Sequence, residues 1–282
     1  MKVDNTNDNE PPQHKQCCAI FDSHFVLSRC CWGSHLCLSV DVVGRSSLVG
    51  SWGGSLPADR CAVFHPLPPI KKPLDFGSSL FCVLDGHGGE WCAEYVAVHL
   101  GICVAVQNGY GSGSKPAAKE AALLKGFLYC DQRCLVEQES NGEKSGSTAC
   151  AVLVDHTDIY VANCGDTRAI LCRAGQAIEL SRDHKPTDPE EKARMEAAGG
   201  RVPPGSAYVE LGDKGLAVAR AFGNPLFKQN PTKSENAQII IPHPYQSRMA
   251  RQFGTDEFIL IATDGLWNVV SRPSELAHAA FS

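Results

Sequence analysis

The chain has no run of Lys or Arg anywhere in its 282 residues, and its net charge is −5. Domains that hold nucleic acid through its phosphates usually show a clustered basic patch, so no nucleic-acid partner is expected. No apolar run reaches the ~18–20 residues that a membrane-crossing helix needs, and no membrane partner is expected either. The chain shows no secretory signal, which argues against reading its 14 cysteines as a disulfide framework. No C-x2-C pair exists, which removes a zinc ribbon. The cysteines are scattered, with adjacent pairs at Cys17–Cys18 and Cys30–Cys31 and one C-x3-C at Cys130 and Cys134. Many fall in apolar stretches, such as Cys82, Cys150 and Cys164, and read as small buried hydrophobes. No internal repeat is visible and nothing marks a second domain. The expectation is a reduced, soluble, monomeric protein, cytoplasmic and/or nuclear.

The composition is globular, 43% hydrophobic and 20% charged, and long enough for a sizeable core. Residues 1–16 are polar and unpatterned and read as disordered. Over 17–60, short apolar pieces alternate with Gly and Ser and no period emerges. A strand is expected near 60–65 ("RCAVF"), followed by a proline-rich loop. "LFCVLD" (80–85) reads as a buried strand. Residues 90–106 and 115–138 have helical spacing. Three strands follow in close succession near 147–155, 158–166 and 168–175. Links that short suit antiparallel neighbours, because parallel strands need a long crossover. "TDPEEKARMEAAGGRV" has a Thr/Asp cap, an early Pro and a terminal Gly pair, which is a helix signature. "AQIIIPHP" and "FILIATD" read as further strands, and "RPSELAHAAFS" as the start of a helix. Strands meeting strands and helices meeting helices point to two stacked antiparallel sheets with helices outside.

Three acids share one structural address. Asp85, Asp166 and Asp264 each close an apolar run, and Gly86 and Gly265 follow two of them. An Asp so placed is held by a rigid strand and faces the mouth of the sheet. Singly, each is a turn starter. Together, carboxylates at one mouth repel one another unless cations lie among them. Hard oxygen ligands favour Mg²⁺ or Mn²⁺ over zinc. His87, flanked by Gly86 and Gly88, is a surface turn residue or a general acid.

Six stretches occur in order: "VLDGHGG" (83–89), "SGSTA" (145–149), "VANCGDTRAIL" (161–171), "LSRDHKPTDPEEKARMEAAGGRV" (180–202), "LAVARAFGN" (216–224) and "FILIATDGLWNVVS" (258–271). The series resembles the motifs of the type 2C metal-dependent protein serine/threonine phosphatases. The resemblance implies an α+β fold, a four-layer α-β-β-α sandwich of two antiparallel sheets flanked by helices. It implies hydrolysis of phosphoserine and phosphothreonine in phosphoprotein substrates by a water activated between two Mg²⁺ or Mn²⁺ ions, with a weaker third ion. By that likeness Asp85 bridges the two ions, Gly86 lends its carbonyl, Asp264 binds the second ion and Asp166 serves the third. His87 protonates the leaving oxygen. Asp59 is a further ligand through metal-bound water.

The sequence departs from the family pattern in three places. Gly54 stands where an Arg usually holds the phosphate, and Ala58 where the first of two acids stands, with Arg60 or Arg45 as substitutes. Asn268 and Asn224 replace usual Asp residues, so Asn268 is a weak metal or outer-sphere ligand. The family's last Asp-Asn pair lies beyond Ser282, so the sandwich is expected to be incomplete at its C-terminus. Residues 1–40 are expected to be a disordered or atypical extension, and 41–282 the phosphatase domain without its last strands. The rival reading is a catalytically impaired pseudophosphatase, or a truncated fragment, acting as a binding module. A redox-sensing or metal-storing cysteine-rich protein is a third.

Overall fold

The computed structural model describes residues 59–64, 78–107 and 115–268, with the backbone of four strands between 18 and 50. Twelve strands form two six-stranded sheets. In chain order they are β1 (Cys18–Asp22), β2 (Leu27–Trp32), β3 (His35–Asp41), β4 (Leu48–Gly50), β5 (Arg60–Phe64), β6 (Ser79–Leu84), β7 (Ala149–Val154), β8 (Asp158–Cys164), β9 (Arg168–Arg173), β10 (Gln176–Glu179), β11 (Tyr245–Ala250) and β12 (Asp256–Ala262). One sheet has the order β10-β9-β12-β1-β2-β3 and the other β11-β8-β7-β6-β5-β4. Every neighbouring pair in both is antiparallel.

Side chains alternate across a pleated strand, so each strand of a sandwich feeds two layers. β6 shows this directly. Phe81 and Val83 join Val152, Val161, Leu171, Ile259 and Ile261 in the core between the sheets. Leu80, Cys82 and Leu84 point the other way, into a second core under α1 (Trp91–Ala105) and α2 (Pro116–Asn141). Both sets are buried, which is why this strand reads as an unbroken apolar run. On the outer face of the first sheet, Ile170, Cys172, Phe258 and Leu260 pack with Trp267 of the short helix α4 (Asp264–Trp267). The two-sheet α+β sandwich implied by the sequence is therefore present.

The helices lie close because small residues let them. A Cβ on Gly101 of α1 would fall 2.5 Å from the Phe64 ring of β5. A larger residue there would push the helix off the sheet.

Two sequence expectations change. "AQIIIPHP" forms no strand: Glu235–Ala237 is a 3-10 turn, and Ile241 makes only a single bridge, to Arg220. Ile239 and Ile240 are buried instead in a third cluster, with Met195 of α3 (Pro189–Ala197) and Val209. Burial there needs no ladder, and Pro242 and Pro244 disfavour one. Residues 18–50, which show no period, supply four strands. The helix anticipated after Arg272, together with Arg45, Gly54 and Ala58, lies outside the described residues. Among the described residues, no helix is long and apolar enough to cross a membrane.

Candidate active site

Strand register brings the acids together. β5 and β6 run antiparallel with Arg60 opposite Leu84. One step further along that register, Asp59 faces Asp85. β9 and β12 run antiparallel with Arg168 opposite Ala262. Two steps further, Asp166 faces Asp264. Each sheet thus delivers one pair of acids, and both pairs lie at the same end of the sandwich. The charges feel one another. Burial, then the charges of Asp59, Asp166 and Asp264, push Asp85 up to about 9, and a hydrogen bond with Asp59 adds to this. Asp166 is buried, and burial also raises it, while Lys185 pulls it back.

A set of threonines ties the two sheets at this mouth. Asp85 donates its backbone N–H to Thr148 Oγ1 at 3.2 Å, and accepts at its carbonyl from the Thr148 N–H at 2.9 Å. Thr148 and Thr167 share a hydroxyl hydrogen bond of 2.6 Å. Thr263 donates to Asp59 Oδ2 at 3.2 Å. Sequence reasoning passed over these threonines, although each stands beside a glycine, a serine or a site acid in "SGSTA", "GDTR" and "ATDG".

His87 lies in a small separate sheet, where Gly86–His87 pairs with Gly146–Ser147, which pairs in turn with Phe222–Gly223. Gly88 and Gly89 follow with φ of +68° and +135°, a backbone open mainly to glycine. The His87 ring is held by Asn224, with Nε2 and Oδ1 2.8 Å apart. Burial lowers the His87 pKa from its usual range, the Asn224 bond opposes this, and Lys228 reinforces it. Gly146 is required beneath this contact, because any Cβ there would collide with the Asn224 amide.

The other candidate residues are placed as follows. Asn268 is exposed and donates Nδ2 to Asp264 Oδ2 at 3.2 Å, so it supports Asp264. Lys185 is ion-paired with Asp166, placing a cation at the acid assigned to a third ion. Arg60 is corrected. Its side chain has no exposed surface and pairs with Glu90 at 3.0 Å and Glu94 at 2.8 Å. It also donates to the Asp59 carbonyl at 2.9 Å. A guanidinium so committed ties α1 to β5 and steadies Asp59, and it has no fork left to offer a substrate phosphate.

The donor set consists of four carboxylates with the Gly86 backbone beside them. This is hard-oxygen chemistry of the kind Mg²⁺ and Mn²⁺ prefer. The raised Asp85 and Asp166 carboxyls fit a site that needs positive charge. Among the described residues, no group of three or more His, Cys, Asp or Glu side chains is arranged to enclose an ion alone. The acids come as pairs, and backbone and solvent oxygens would have to complete any coordination.

Comparisons with known proteins concern the family and the fold. The sequence profile of the family described as "Protein phosphatase 2C" matches residues 63–277. The mouse protein named "Probable protein phosphatase 1N" is 35% identical over 226 residues, which are 80% of this chain and 53% of the relative. Mouse "Protein phosphatase 1B" is 36% identical over 69% of this chain and 51% of the relative. The chain thus spans about half the length of the curated relatives it matches. Among solved structures, a serine-threonine phosphatase 2C from Toxoplasma gondii superposes with a TM-score of 0.66 at 19% identity, covering 79% of each chain, a likeness of fold. A C. elegans sex-determining protein superposes with a TM-score of 0.61 at 25% identity, over 83% of this chain and 55% of that one.

Proposed function

Because the chain belongs to the protein phosphatase 2C family, we propose that it hydrolyses phosphoserine and phosphothreonine in phosphoproteins with the help of Mg²⁺ or Mn²⁺. The observation that carries this reading is the convergence of two acid pairs, Asp59–Asp85 and Asp166–Asp264, beside His87. Asp85, Asp59 and Asp264 are the residues that would hold the ions, with Gly86 lending its carbonyl and Asp166 in the outer position. Bound divalent ions would lower the pKa of a water and neutralise the phosphoryl oxygens.

The chain's own residues then have definite tasks. Thr148 and Thr263 fix Asp85 and Asp59 through the hydrogen bonds described above, so the acids are oriented before substrate arrives. Asn224 Oδ1 engages the Nε2 side of the His87 ring, which leaves Nδ1 as the nitrogen free to exchange a proton with the leaving oxygen. The depressed basicity of His87 makes its protonated form a ready donor. Lys185 balances part of the negative charge at Asp166. No protein nucleophile is needed, because the attacking oxygen comes from water.

The test is turnover of p-nitrophenyl phosphate and of a phosphothreonine peptide with Mn²⁺ and with EDTA. Turnover that needs Mn²⁺ and vanishes in Asp85→Ala supports the reading. A folded protein that is silent with Mn²⁺ overturns it. That result would favour a second reading, a phosphatase fold kept for binding, for which the commitment of Arg60 to Glu90 and Glu94 is the supporting observation.

A further inference from the structure

α2 turns two polar side chains inward. Asp131 is buried, and so is Gln138, about two helical turns further on along the same face. Packing alone would fill such positions with apolar residues, as at Phe127 and Cys134. Both polar groups reach the segment that carries Asn224. Asp131 Oδ1 accepts the Gly223 N–H at 2.7 Å. Gln138 donates Nε2 to the Ser145 carbonyl at 2.7 Å, and the same carbonyl receives the Asn224 N–H at 3.1 Å.

Lys228 closes the arrangement from the far side of Asn224. It follows the short 3-10 turn Pro225–Phe227, and its side chain is buried against Asp131. Nζ donates to Asp131 Oδ1 at 2.7 Å, to Asp131 Oδ2 at 2.8 Å and to the Ala221 carbonyl at 2.9 Å. One buried ion pair thus binds Ala221 and Gly223 before Asn224 and Lys228 after it. The turn between them needs holding. Gly223 and Asn224 are successive left-handed residues, with φ of +66° and +55°. Asn tolerates that region better than most side chains, yet it persists there where the surroundings enforce it. Stability does not account for the pair. Burial pushes the Asp131 carboxyl up, against the pull of Lys228 and of the Gly223 N–H. Taking two charges out of water commonly costs as much as their attraction returns.

We propose that Asp131 and Lys228 are positioning residues for His87. Their ion pair holds the Gly223–Asn224 turn in the conformation that brings Asn224 Oδ1 within 2.8 Å of His87 Nε2. The contacts run without a gap from α2 through the Asp131 carboxylate, the Gly223 backbone and the Asn224 amide to the imidazole. Neither Asp131 nor Lys228 touches the substrate in this scheme. Their effect on turnover rests on the phosphatase reading, and their hold on the imidazole does not.

The experiment replaces both charges at once, Asp131→Leu together with Lys228→Met, so that neither is left buried alone. Histidine ring signals of the ¹⁵N-labelled full-length chain are recorded in EDTA at one pH, with the His87 signal assigned by its loss in His87→Gln. The expected result is a His87 signal that leaves its parent position toward the one it takes in Asn224→Ala. With Mn²⁺ and p-nitrophenyl phosphate, kcat should fall about tenfold while KM stays within about twofold of the parent. Adding Asn224→Ala should then cost little more, because both changes break the same contact. A merely structural loss would multiply with that of Asn224→Ala. An unmoved His87 signal, an undiminished kcat or losses that multiply would each overturn the proposal. A parent chain silent with Mn²⁺ overturns the phosphatase reading alone, and the spectra still decide what holds the ring. Should the double variant fold poorly, Lys228→Met alone carries both measurements with the same expected results, since a buried carboxyl without its partner takes up a proton.

Discussion

Asn224 Oδ1 meets His87 Nε2 at 2.8 Å, joining positions 137 residues apart in the chain. The contact fixes the orientation of the imidazole. Asn224 itself sits with a left-handed backbone, at φ of +55°, and receives support at its N–H from the Ser145 carbonyl. Loss of this single hydrogen bond should act on the chemical step. Asn224→Ala is expected to lower kcat for p-nitrophenyl phosphate about tenfold, the rate equivalent of a bond worth ~1.4 kcal/mol, with KM nearly unchanged. Gly146→Ala should reproduce the defect by displacing Asn224. Steady-state kinetics on both variants checks this, and an undiminished kcat would release His87 from dependence on Asn224.

Asp85 sits among three like charges, and burial with those charges pushes it up to about 9. Asp85→Asn removes the repulsion and keeps the shape. Melting in EDTA should therefore occur at a higher temperature in the variant than in the parent. Mn²⁺-dependent turnover should meanwhile fall by about 100-fold or more. A variant that melts lower in EDTA would mean that the four acids do not strain one another.

Arg60 is a structural tie rather than a phosphate clamp. Arg60→Leu should cost about 2 kcal/mol of stability in urea denaturation, since it removes a buried partner from two half-exposed glutamates. KM for p-nitrophenyl phosphate should stay within about twofold of the parent. A large rise in KM without loss of stability would return the phosphate to Arg60.

His184, whose backbone contact is with Gly165 next to Asp166, gives a pH dependence of its own. The residue is 2% exposed, and its Nδ1 lies 3.3 Å from the Gly165 nitrogen and 3.1 Å from the Gly165 carbonyl oxygen, accepting from the first or donating to the second according to its tautomer. Burial first, then the charge of Arg220, lower it from 6.5 to about 4, with Glu191 opposing and Arg182 adding. The unfolded chain takes up the proton more readily than the folded one between those values. Stability is therefore fully present above pH ~6.5 and is lost as pH falls toward 4, by up to about 3 kcal/mol. Urea midpoints measured from pH 7.5 to 4.5 should fall accordingly, and His184→Asn should flatten that slope.

The central strands β5 to β9 and β12 and the long helices were legible because their signals are local, whereas β1 to β4, β10 and β11 carry no such signal. β6 is a pure apolar run ending at an acid, α2 carries Ala, Leu and Lys in helical proportion, and the spacing between β7, β8 and β9 forbids crossovers. The acids were legible for the same reason, standing where apolar runs stop. What the sequence hid was relational. "QIII" has a strand's composition, yet its isoleucines are buried against α3 without a ladder. Nothing near Arg60 in the chain announces Glu90 and Glu94, which reach it from a helix thirty residues on. Lys185 stands just before the helix signature, and only the return of the chain to Gly165, through the His184 N–H, sets it on Asp166. Thr148, Thr167 and Thr263 are ordinary residues just outside strand ends until two sheets close on one another.

The pairing of Asp59 with Asp85 and of Asp166 with Asp264 follows from the register of the strands that lead to them. Deleting or inserting one residue within β5, β6, β9 or β12 would turn the neighbouring acid to the opposite side of its sheet. Divergence in length among such chains has to be absorbed elsewhere, in the long excursion between β10 and β11 or in the links between helices. The four strands act as a ruler whose graduations cannot be rewritten, while the excursions between them stay open to new sequence.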